Sequence, residues 1–353
     1  LAADANVTAT GGNGTIDLFA GDTVSIDGAA TVSAAGTGKV TVYGGYDYND
    51  GTAQNGTNAG AVSMSDGATV ESADGNIEIR APGNVQLSVV DANSNDDGTL
   101  GDITIEADWD GTGGGLSDST GAVTEVLSTE NANLTGNLAT VNAATGIGSG
   151  EDIDTDLALV DVENTGSNNI DLNETDGIGI NRIDQQATAE TVNVDAGGTI
   201  TVATGQSGVT AVNGQVELDA NGIDSDIVVN DAIGTTSGAI NLLADNDVSF
   251  GADGDVTATT GGNVTVTADF DGLADSGGTD QGALTMADGT VINAGTGTID
   301  LDANENVALG RLISGDNTAS AVAVTSAAGA ITDAGDAGVE DIEATNASAV
   351  VTL

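Results

Sequence analysis

The chain has 353 residues, 55 of them Asp or Glu against four Lys or Arg, for a formal net charge of −51, and it contains neither Cys nor His. Charge of that sign repels nucleic acid and anionic membrane, so neither is expected as a partner, and cations are the natural counter-ions. The missing thiol and imidazole groups exclude disulfides, thiolate metal sites, cysteine nucleophiles and every mechanism that needs a histidine.

From the N-terminus, Gly14-Thr15-Ile16-Asp17-Leu18 sets the recurring unit, a turn residue followed by alternating apolar and polar residues. Ile16, Val24, Val32 and Val40 then follow at intervals of eight. Alternation within each unit is the strand period, and Gly, Asn or Asp ends each run after three to five residues, too soon for a helix. Val40-Thr41-Val42 leads into a polar insertion over about 43–60, after which Val62, Val70, Ile77 and Val85 resume the spacing within one residue. Ile103-Thr104-Ile105 precedes a second insertion, about 106–121. Residues 126–200 are less regular. There Glu151-Asp152-Ile153-Asp154-Thr155-Asp156 reads as an acidic loop between coils, before the spacing returns at Val162, Ile170 and Ile178. Ile240, Val248, Val256 and Val264 repeat it, and Val264-Thr265-Val266 leads into a third insertion, about 267–282.

Eight residues per side and related residues every 24 (Ile16 to Val40, Val216 to Ile240 to Val264) predict an all-β, three-sided parallel β-solenoid. Residues 1–353 are expected to form a single domain of roughly twelve to fourteen coils stacked at ~4.8 Å, right-handed by analogy with parallel β-helices. Ala, Thr and Ser fill many apolar slots, which suits a narrow core and needs few aromatics. A string of immunoglobulin-like sandwiches is the alternative, but it requires longer strands and larger core residues. No apolar run approaches the ~18 residues of a membrane span, so no membrane insertion is expected.

The three insertions align on an aromatic-Asp pair: Tyr46-Asp47, Trp109-Asp110 and Phe270-Asp271. Five of the seven aromatic residues (Tyr43, Tyr46, Tyr48, Trp109 and Phe270) belong to these strand-insertion units. Asp47, Asp50, Asp108, Asp110, Asp269, Asp271 and Asp275 are candidate calcium ligands, because carboxylates beside a Gly turn offer the hard oxygens that Ca²⁺ takes in sixes to eights. In the competing reading the aromatic pins the insertion to the solenoid while Asp turns and solubilises it. No insertion reproduces the full EF-hand spacing.

Other motifs are weaker. Gly11-Gly12-Asn13-Gly14-Thr15-Ile16-Asp17 departs from the calcium-binding nonapeptide at Ile16 and does not repeat. Thr-x-Thr pairs of the ice-binding kind, such as Thr265-Val266-Thr267, do not recur once per coil. Seven Asn-x-Ser/Thr sequons are what a chain rich in Asn and Thr produces by chance. Carboxylate pairs can be chosen anywhere among so many acids, and a lyase-like base would have to come from Lys39, Arg80, Arg182 or Arg311, none in a recognisable constellation. No catalytic residue and no enzyme activity is expected.

Units such as Gly262-Asn263-Val264-Thr265-Val266, Gly297-Thr298-Ile299-Asp300-Leu301 and Gly329-Ala330-Ile331-Thr332-Asp333 resemble the repeat region of filamentous haemagglutinin-type exoproteins and related giant bacterial adhesins. The resemblance covers nearly the whole chain through short motifs. It implies a right-handed β-helical shaft, extracellular and displayed at the bacterial cell surface, with a host, cell-surface or polysaccharide target. The period near 24 is longer than many haemagglutinin coils, and the usual N-terminal secretion domain is not visible. Neither the strand-like Asn6-Val7-Thr8 nor Ala349-Val350-Val351-Thr352-Leu353 reads as a polar cap, so end-to-end self-association or continuation in a longer chain is expected. The function expected is a structural and adhesive rod whose acidic insertions bind calcium or a partner. The alternative is a carbohydrate-binding or polysaccharide-cleaving β-helix.

Overall fold

In the computed structural model, residues 1–2, 4–47, 52–53, 60–109, 120–126, 132–270, 281–318, 320–335 and 340–353 are described. They contain short strands and no helix. Two compact units are distinguished, Leu1–Thr175 and Asp176–Leu353. Each is a parallel β-solenoid with three strands per coil.

In the second unit the first face stacks Val192, Val216, Ile240, Val264, Ile299 and Val322 directly over one another in parallel register, all fully buried. The second face stacks Ile200, Ile227, Val248, Leu284 and Val307. The third stacks Val209, Ile233, Val256, Ile292 and Leu312. Inward residues of all three faces meet in one apolar interior, where each buried Val, Leu or Ile contributes about 1.5–3 kcal/mol. A full coil separates Asn241 from Glu217, its hydrogen-bonded neighbour 24 residues earlier.

The first unit repeats the plan. Ile16, Val40, Ile77 and Ile103 stack on its first face, Val24, Val62, Val85 and Val123 on its second, and Val7, Val32, Val70 and Val90 on its third.

The glycine that opens so many units has a packing cause. A Cβ at Gly38, Gly75 or Gly101 would stand 2.3 Å from the carbonyl oxygen of the corner glycine one coil earlier. Only a hydrogen fits there, so this corner is a ladder of glycines. Small hydroxyls close the same corner from inside: Ser72 Oγ donates to Gly38 O at 2.7 Å and accepts from Gly75 N at 2.9 Å, and Thr235 repeats both bonds with Gly214 and Gly238. The buried polar atoms are thereby satisfied.

Acids and amides just before the strands have a second structural task. Asp226 Oδ1 accepts from Asp247 N at 3.0 Å, and Asp247 Oδ1 accepts from Ala283 N at 2.8 Å one coil on. Asn84 and Asn306 do the same for Ala122 and Ala330, both at 3.0 Å. Each side chain supplies the acceptor that the turning backbone lacks.

One expectation is corrected. Asp154, Thr155 and Asp156 are not in a loop but in the strand Ile153–Asn164, with Ile153, Thr155 and Leu157 buried. This strand and Leu134–Ala143 each bend from the third face onto the first without interruption, the latter with Gly136 at the bend and the former with no glycine there, pairing 155–157 with 134–136 and 159–164 with 138–143. Buried and outward residues alternate on either side of the bend, the alternation shifting by one residue at Asn137-Leu138 and at Ala158-Leu159, and the acids occupy outward positions.

Candidate functional site

Three equivalent necks interrupt the first faces. The strands that precede them end at Tyr43, Ala107 and Ala268, so the insertions begin one or two residues after 43, 106 and 267. Gly45, Asp108 and Asp269 then turn the chain outward with φ of 65°, 70° and 66°. The left-handed region is free to Gly and more tolerable to Asp than to most residues. The aromatic that follows is fixed through its backbone: Tyr46 N donates to Ala20 O at 2.7 Å, Trp109 N to Ala81 O at 2.9 Å and Phe270 N to Ala244 O at 2.9 Å. Gly60, Gly121 and Gly282 close the necks, where a Cβ would stand 2.3 Å from Gly45 N, 2.4 Å from Asp108 N and 2.7 Å from Asp269 N.

The candidate ligands are distributed unevenly about these necks. Asp50, Asp110, Asp271 and Asp275 lie outside the described residues. Asp47 pairs with Thr52 in a two-residue antiparallel ladder. Asp108 is 1% exposed, within its neck. Asp269 accepts from Asn304 Nδ2 at 2.8 Å. Asp108 and Asp269 therefore occupy the same turn in the two units, and Asp47 stands two residues beyond it.

In the first unit the neck rests on a layer of aromatic and charged side chains. Phe19, Tyr43, Arg80 and Glu106 form one outward ladder across four coils. Phe19 stacks on Tyr43 with ring centroids 5.0 Å apart and on Tyr46 at 4.6 Å. Trp109, 6% exposed, meets Tyr43 at 4.8 Å. The Arg80 guanidinium lies over both rings, 5.8 Å from Tyr43 and 5.5 Å from Trp109. Such contacts add to the burial of the rings themselves.

Ion pairs hold the layer's polar rim. Arg80 Nε is 2.8 Å from Glu78 and 3.0 Å from Glu106, within ion-pair range although not aligned as hydrogen bonds. Lys39 Nζ and the Tyr43 hydroxyl also donate to Glu78. Burial alone would raise the Glu78 carboxyl, but those two donors and the Arg80 charge outweigh it and hold it below the usual range. Burial and the Glu78 hydrogen bond push the Tyr43 phenol up. Two of the four basic residues of the chain are thus spent on this layer.

Sequence reasoning missed the ladder partners Phe19, Arg80, Glu78 and Glu106. Their signal is the shared outward position in successive coils, visible only once the register is known. It also missed Glu174, which is 1% exposed and accepts from Thr155 Oγ1 at 2.8 Å and Leu157 N at 3.2 Å.

The fold and these necks define a class: an acidic parallel β-solenoid with polar insertions rooted at one recurrent position of its coils. Comparison with protein-family models, with curated proteins and with solved structures returns no match to the chain.

Proposed function

We propose that the chain is a non-catalytic shaft of a secreted bacterial surface protein of the filamentous haemagglutinin type, right-handed, extracellular and adhesive through its insertions. The observation that supports this is the neck. Val40 and Ile77 remain in register across the first insertion, and Val264 and Ile299 across the third, so the shaft carries polar segments outward without loss of pairing. A repeat architecture tolerates such insertions because each coil depends only on its neighbours. The ion pairing of Lys39 and Arg80 also favours a structural role, since a lyase-like base must give up its proton.

Acidic insertions of this kind bind calcium in our reading, through carboxylates drawn from Asp47, Asp50, Asp108, Asp110, Asp269, Asp271 and Asp275 of the three insertion sequences. The test is thermal melting of the full chain in EDTA and in millimolar Ca²⁺, with negative-stain imaging of both samples. A rise in melting temperature with longer rods supports an ion-bridged assembly. An unchanged melt refutes calcium binding and leaves the acids as a solvating coat.

A second reading, polysaccharide binding, draws on the half-buried rings of Phe19, Tyr43 and Tyr46. Quenching or enhancement of Trp109 fluorescence by a neutral polysaccharide would favour it, because Trp109 is the sole tryptophan.

A further inference from the structure

One outward carboxylate of the second unit is placed unlike the others. Asp195, Asp219 and Leu243 stand directly over one another on adjacent first-face strands, pointing away from the core. Adjacent strands of such a ladder are ~4.8 Å apart, so the two carboxylates confront each other with Leu243 covering the far side. The surrounding amides are committed elsewhere. Asn193 Nδ2 donates to Asp195 Oδ2 at 3.1 Å, while Gln215 Nε2 and Asn241 Nδ2 donate to Glu217 Oε2 at 2.7 and 2.9 Å. Asp219 Oδ1 is buried and has no hydrogen-bond partner.

We propose that Asp195 and Asp219 form a proton-operated clasp between adjacent coils of the second unit. A proton taken from solvent lets Asp219 donate to the Asp195 carboxylate, and its loss leaves two like charges facing each other. The titratable groups that face Asp219 are Asp195 on the strand before and Glu217 on its own strand; the strand after presents Leu243 and the neutral Asn241. No cation among the described residues of these three strands offsets them. Burial, then Asp195, then Glu217 push the Asp219 carboxyl up to about 6. The position contrasts with Asp302 on the same ladder, which stands between Thr267 and Thr325.

The linkage sign follows from the raised value. Between the ordinary aspartate range and about pH 6 the folded chain binds a proton that the unfolded chain does not, so the clasp stabilises on acidification and its benefit is lost as pH rises through about 6. This device is independent of the adhesive reading.

The test compares the full chain with Asp219→Asn at constant ionic strength, since a chain of net charge −51 gains stability in acid for general reasons as well. Asp219→Asn is expected to melt a few degrees above wild type at pH 7.5, with the gap closing by about pH 4. A gap independent of pH, or a variant less stable than wild type at pH 7.5, overturns the proposal. Carboxyl ¹³C titration of the aspartate-labelled full chain gives a second readout. One midpoint near 6 is expected, absent in Asp219→Asn and lowered in Asp195→Asn. Titration of every aspartate in the ordinary range overturns the clasp.

Discussion

The necks at Trp109 and Phe270 share backbone geometry and differ in what lies beneath them. Both follow an Asp in the left-handed region, both aromatics donate their amide to the carbonyl of an alanine one coil earlier, and both necks close on a glycine. Yet Trp109 is 6% exposed and Phe270 is 51% exposed. The outward ladder makes the difference. In the first unit it runs Phe19, Tyr43, Arg80, Glu106, and Tyr43 and Arg80 receive the indole. At the equivalent place in the second unit it runs Asp219, Leu243, Thr267, Asp302, with no second ring to meet Phe270. The neck motif thus fixes where an insertion leaves, while the ladder of other coils decides whether its root is packed.

Substitutions at the aromatics should separate the two necks most clearly. Trp109→Ala removes a buried ring from a packed layer and is expected to cost about 3–5 kcal/mol in urea unfolding followed by circular dichroism. Phe270→Ala, on a half-exposed ring, should cost less than about 1 kcal/mol in the same assay. Equal losses would break the comparison.

Next in size is closure of the neck, made by a glycine in both units, with φ of 155° at Gly282. Gly121→Ala and Gly282→Ala each drive a methyl into backbone of the departing strand, at an expected cost of about 1–3 kcal/mol. Trp109 fluorescence during unfolding reports the first, because Trp109 is the sole tryptophan. A neutral Gly121→Ala would show that the neck opens without penalty.

The smallest effect concerns charge. The Glu78 carboxyl is lowered in the folded chain, since its donors outweigh burial, so its contribution is present above the unfolded glutamate value and lost as pH falls through the folded one. Glu78→Gln should cost about 1 kcal/mol at pH 7, the partial exposure of the cluster limiting it, and the difference from wild type should shrink on acidification. This is the reverse of the pH response expected at Asp219. A Glu78→Gln penalty that persists at low pH would assign the role to packing.

Much of the fold was legible because alternation and glycine punctuation are local. The eight-residue spacing from Ile16 to Val40 marked three sides, and the stacked Val216, Ile240 and Val264 occupy one face as that spacing required. The strand Ile153–Asn164 was not legible, since its acids resemble a solvated turn until outward strand positions are recognised. Of the site, the aromatic-Asp pairs marked the necks. The reading of Asp as a turn residue anticipated a turn at Asp108 and Asp269, but not its left-handed φ, which depends on the backbone of the coil beneath.

Strand period, corner residues and the phase at which insertions interrupt a coil are encoded locally, because each depends on residues a few positions apart. Tertiary structure alone decided the ladders. Phe19 meets Tyr43, Arg80 meets Trp109 and Asp195 faces Asp219 only after coils stack in register. Parallel pairing brings together residues a whole coil or more apart, and no local propensity encodes which side chains will then touch.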